Sequence, residues 1–75
     1  MNLSELNEKL RRSALPPESY SLTGGLPAEA FCIEHTSDGV WQTYYSEWGL
    51  RSGLKTFATE EEACNEFLKM VAPYL

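Results

Sequence analysis

Apolar positions along the chain follow a helical period, then a strand period, then a helical one again. Over residues 2–14, Leu3, Leu6, Leu10 and Ala14 recur at the three-to-four spacing that lines one face of a helix. Asn2 or Ser4 can cap its start, and Arg11 and Arg12 suit the negative end of its dipole. Pro16 and Pro17 stop it, because each lacks an N–H and restricts the residue before it. The stripe is narrow, which fits a helix lying across a domain edge or pairing with a second copy.

From residue 19 to 58 the period is two. Residues 19–22 read as a short strand, and Thr23-Gly24-Gly25-Leu26-Pro27 as a turn. In 29–35, Phe31, Ile33 and His35 share one face, while Cys32 and Glu34 share the other. Ser37-Asp38-Gly39 reads as a hairpin turn. Residues 40–47, rich in β-branched and aromatic side chains, form the strongest strand pattern. Trp41, Thr43 and Tyr45 fall on one side of it, and Val40, Gln42, Tyr44 and Ser46 on the other. WGLRSG, 48–53, reads as a loop, and 53–58 as a last short strand.

The helical period returns over 59–71. Thr59 with Glu62 makes a capping box, Glu60 and Glu61 lie in the first turn, and Pro73 ends the helix. Ala63, Phe67, Met70 and Val71 form its buried stripe, widened by Cys64 and Leu68. These elements predict a single α+β domain over 1–75: an N-terminal helix (1–15), a three- to four-stranded antiparallel meander (19–58), and a C-terminal helix (59–72) packed on the sheet. A meander cannot cover its own apolar face, so the closing helix is the natural cover.

Charge narrows the function classes. Eleven Asp plus Glu against six Lys plus Arg give a net charge of −5. Nucleic acid and anionic membranes are thereby disfavoured, since both call for a basic face. A basic protein partner is favoured, since opposite charge speeds encounter. No apolar run approaches the roughly 20 residues of a membrane span, and the polar first twelve residues lack a signal peptide's apolar core. The expected location is the cytoplasm, with Cys32 and Cys64, each inside an apolar run, as reduced buried thiols.

No catalytic, metal or cofactor set emerges. The lone histidine, His35, lies three positions from Cys32 on one strand, so the two point to opposite faces. Pairing Cys64 with His35 requires a contact that the pattern does not supply. Glu34 and Glu47 on neighbouring strands are a candidate carboxylate pair, but also two ordinary surface glutamates. Gly24-Gly25 belongs to no phosphate-binding motif, and one His with two distant Cys makes no zinc site. The expectation is a protein that is not an enzyme and carries no cofactor.

The segment GVWQTYYSEWGLRSG, with the later FATEEEACNEFL, resembles a group of small bacterial immunity proteins encoded beside polymorphic toxins of the contact-dependent and Rhs type. The resemblance rests on Gly39, Trp41, Tyr44, Tyr45, Ser46, Glu47, Gly49, Phe57 and Glu61 to Cys64. Upstream it rests on Tyr20, Gly24, Gly25, Glu29, Cys32 and Glu34, and it covers residues 20 to about 68. It implies a protein that binds a cognate toxin domain in the cytoplasm and blocks its active site or substrate channel. The chain departs from the family pattern at Trp48, where that pattern carries a basic residue; Arg51 is then the candidate for the missing charge.

The expected partner-binding residues are Asp38, Tyr44, Tyr45, Glu47, Trp48 and Arg51. An acidic, aromatic segment suits an interface, but the same aromatics equally suit a small core. The alternative reading is a small structural or regulatory module that dimerises through Leu3, Leu6 and Leu10.

Overall fold

In a computed structural model that describes residues 1–75, helix α1 spans Leu3–Arg11. Asn2 caps it reciprocally: its side chain accepts from the Glu5 N–H at 2.8 Å, and the Glu5 carboxylate accepts from the Asn2 N–H at 3.0 Å. A 3-10 turn, Pro17–Ser19, leads into strand β1, Tyr20–Ser21. Strands β2 (Glu29–His35), β3 (Trp41–Glu47) and β4 (Leu50–Phe57) follow, then helix α2 (Glu60–Val71) and a 3-10 turn, Ala72–Tyr74. Thr59 caps α2 by accepting from the Glu62 N–H at 3.2 Å. The Glu62 carboxylate takes the Thr59 hydroxyl at 3.0 Å, so only half of the expected capping box forms.

The fold is α+β, with four strands in the order β1-β2-β3-β4. The sheet is mixed, which corrects the expected antiparallel meander: β2, β3 and β4 are antiparallel, but β1 runs parallel to β2, Tyr20 facing Phe31 and Ser21 facing Cys32. Alternation of side chains assigns faces and carries no strand direction. A parallel neighbour normally needs a long crossover. Here β1 has two residues, so the short segment 22–28 suffices to bring the chain back.

The two faces of the sheet are covered differently. On one, Ile33 and Trp41 meet Leu6 and Leu10 of α1 and Ala63, Cys64, Phe67 and Val71 of α2. Of the stripe expected on α2, Ala63, Cys64, Phe67 and Val71 are buried here and Leu68 packs against them, whereas Met70 does not join the cluster; Phe67 is fully buried. Leu6 and Leu10 are fully buried too, so that part of the α1 stripe is taken up within the chain and is closed to a second copy. An N-terminal amide of α1, the Leu3 N–H, donates to Glu60 Oε2 at 2.7 Å and ties the helices together.

The other face has no helix. Ala30, Cys32 and Tyr44 are buried there under residues 22–28, which are held by hydrogen bonds. Tyr44 Oη donates to the Gly25 carbonyl at 2.7 Å, Ser46 Oγ to the Pro27 carbonyl at 2.6 Å, and the Trp48 N–H to the Ala28 carbonyl at 3.2 Å. Gly24, buried at φ 79°, leaves no room for a side chain: a Cβ would lie 2.7 Å from Glu34 Cγ. Cys32 and Cys64 thus sit on opposite faces of the sheet, both as free thiols.

The expected loop at 48–53 is a second correction. It shrinks to a two-residue turn at Trp48 and Gly49, and β4 begins at Leu50. The register between β3 and β4 shifts between Thr43 and Tyr45, so Gly53 and Leu54 together oppose Tyr44 as a β-bulge.

Candidate partner-binding surface

The six residues expected to meet a partner occupy three separate places. Asp38 lies in the turn before β3, whereas Glu47 and Trp48 lie at the far end of that seven-residue strand. At about 3.3 Å per residue the separation is roughly 20 Å. Asp38 is engaged within its own turn: the Thr36 hydroxyl donates to its carboxylate, and Thr36 and Val40 close the hairpin at 2.8 Å. That hydroxyl, then a backbone N–H, holds the Asp38 carboxyl below its ordinary value.

Tyr44 and Arg51 form the second place, on the loop-covered face. Tyr44 has no exposed surface, and burial pushes its hydroxyl up while Arg51 works in the opposite direction. The Arg51 guanidinium carbon lies 5.2 Å from the Tyr44 ring centroid, a cation–π contact made from an exposed side chain. Tyr44 serves as core, and Arg51 braces it from outside.

Tyr45, Glu47 and Trp48 mark the third place, the end of the sheet reached by β3. Tyr45 meets Phe31 edge-on at 5.0 Å and 62°, and Phe31 meets Tyr74 at 5.5 Å and 41°. These three rings line an open depression of about 290 Å³. Glu47 stands directly opposite Glu29 across the β2–β3 pair, one strand period from Tyr45 and Phe31 respectively, so both acids share the face of the rings. The ion pairs of the molecule lie elsewhere, Arg12 with Glu8 at 2.9 Å and Lys55 with Glu66 at 3.0 Å. Burial first, then Glu29 and Glu47, push the Tyr45 hydroxyl up.

Trp48 itself is 75% exposed, and Leu50 beyond it is 68% exposed. Trp48 and Gly49 have φ of 49° and 83°, the signs of a type I′ turn. That turn favours Asn or Gly at both positions; a bulky residue there is an outlier that costs roughly 1–2 kcal/mol.

No family model, no curated protein and no solved structure matches the chain. The residues and their geometry therefore carry the functional reading.

Sequence reasoning passed over Glu29, Phe31, Leu50 and Tyr74 as members of this surface. It paired Glu47 with Glu34, but Glu34 instead accepts from Gln42 Nε2 at 2.7 Å. One signal for Glu29 was available: a hairpin centred on Asp38 sets residue 29 against residue 47. Tyr74 follows α2 in a 3-10 turn and had no comparable signal.

The potential nucleophiles are poorly placed for attack. Burial pushes both thiols up, holding them protonated near neutral pH. His35 stacks on Trp41 at 4.3 Å and 5°, on the sheet face opposite Cys32. The feature with chemical character is the surface at the far end of β3: apolar, aromatic and acidic.

Proposed function

We propose that the chain is an immunity protein: in the cytoplasm it binds a cognate bacterial toxin domain and neutralises it by covering the active site or substrate channel. The observation that carries this reading is Trp48. A tryptophan held 75% in solvent contributes little to the fold, and at φ 49° it destabilises the turn. Its presence makes physical sense if a partner buries it, since exposed tryptophans on rigid elements are frequent binding hot spots. The hairpin beneath it is tied to residues 22–28, so little ordering entropy is lost on binding. The net charge of −5 favours a basic toxin domain.

The alternative, a module that dimerises through α1, is weakened by the burial of Leu6 and Leu10.

The test is a titration of this protein into the C-terminal domain of the toxin encoded by the neighbouring gene. The parent should bind tightly, with affinity falling as salt rises. Trp48→Ala with Glu47→Ala should weaken binding by about 2–4 kcal/mol without lowering the melting temperature. Equal binding by the double variant would move the interface to another surface. Failure of the parent to bind would remove the reading.

A further inference from the structure

The surface at the far end of β3 combines a depression and a charge pair that the fold leaves unsatisfied. Phe31, Tyr45 and Tyr74 form its walls, with Tyr74 60% exposed. All three walls are aromatic and the depression opens to solvent, so a side chain presented by a partner can reach it. At its border Glu29 and Glu47 face each other in register. Cβ atoms so placed are roughly 5 Å apart, and like charges at that position repel. No cation of the chain joins them, since Lys55 is paired with Glu66 and Arg51 lies on the other face over Tyr44.

We infer that this depression is a socket for one arginine side chain of the protein partner. Its guanidinium would lie against the rings of Tyr45 and Tyr74 while Glu29 and Glu47 neutralise it. Three properties select arginine. Two carboxylates side by side call for a cation with several donors. A planar, weakly hydrated guanidinium stacks on aromatic rings better than an ammonium. An apolar side chain would fill the depression but leave the two carboxylates repelling. The inference deepens the proposed toxin-binding role by naming the chemistry of the partner group; its test does not depend on a toxin.

The probe is N-acetyl-arginine methylamide, titrated into the protein and followed by NMR at the ring resonances of Phe31, Tyr45 and Tyr74. The matching norleucine and lysine derivatives serve as controls. Expected are saturable shifts confined to this end of the sheet, strongest for arginine and weakened by salt. The double variant Glu29→Gln, Glu47→Gln should bind the arginine probe about fivefold or more weakly, because two exposed charge contacts are lost. In the free protein the same variant should melt at a higher temperature at low salt, a gain that shrinks as salt screens the repulsion. Equal shifts from norleucine and arginine, or unchanged affinity in the double variant, overturn the inference even where a toxin binds. Arginine-selective shifts lost in the double variant support it even where the neighbouring toxin does not bind.

Discussion

The turn before β3 and the turn after it serve the same sheet with the same antiparallel geometry, yet they are made of different material. In the first, residues 36–39 use threonine, aspartate and glycine. The Thr36 hydroxyl donates to Asp38 and its N–H to Val40, and Gly39 takes the positive φ of 86°. Each residue type there is one that a turn prefers. In the second, a tryptophan occupies a left-handed position that an asparagine would fill with less strain, and its side chain stands in water. The first turn is explained by folding alone. The second is not, and that difference marks the end of the sheet where a partner binds in the proposed role.

Both turns hang from one rigid body only if α2 anchors the sheet, and the largest expected effect tests that. Phe67 is fully buried between α2 and the sheet. Phe67→Ala should lower stability by about 3–5 kcal/mol, combining lost transfer energy with a cavity. A chain of this length holds roughly 4–11 kcal/mol in total, so the variant sits near the edge of folding. Chemical denaturation measures it directly. A loss under 1 kcal/mol would mean that the helix does not anchor the sheet that carries the turns.

Much of this fold is legible in the chain because burial imposes a period. Alternation over 29–35 sets Ile33 and Cys32 on opposite faces, as observed, and the stripe of α2 points Phe67 inward. What escapes the pattern escapes for physical reasons. Tyr44 is buried by a Gly- and Pro-containing segment through one hydrogen bond to Gly25 and by proximity to Arg51, and such a cover has no apolar periodicity. The parallel pairing of β1 is invisible because side-chain alternation assigns faces and carries no strand direction. The start of β4 is hidden because Trp-Gly lacks the Asn-Gly signature of a tight hairpin, so the segment reads as a loop. Of the candidate site, Glu47 and Trp48 are exposed and adjacent, whereas Asp38 is separated from them by the length of β3.

A middle-sized effect sharpens the contrast between the turns. Trp48→Asn creates the Asn-Gly pair that a type I′ turn favours. It should raise stability by about 1 kcal/mol, or roughly 4–8 °C in melting temperature for a domain of this size. Under the proposed role the same variant should lose much of its affinity for the partner, a trade of binding for stability. A drop in melting temperature would show that the indole contributes to the fold, and the left-handed tryptophan would then need no partner to explain it.

The smallest effect concerns the self-contained turn. The Asp38 carboxyl is held below its ordinary value by the Thr36 hydroxyl and by backbone N–H groups. In the unfolded chain those contacts are absent, so the unfolded state binds a proton more readily. The stabilising contribution is therefore complete above the ordinary carboxylate value, roughly pH 4, and disappears as pH falls through the lower folded value. Asp38→Asn keeps a turn-forming residue but cannot ionise. It should flatten the acid side of the stability profile slightly, lower stability a little at neutral pH, and leave partner binding unchanged, because Asp38 lies at the opposite end of β3 from Trp48. Melting curves between pH 2 and 7, with one binding titration at pH 7, check all three. Lost affinity in this variant would extend the interface along the whole strand and erase the distinction between its two ends.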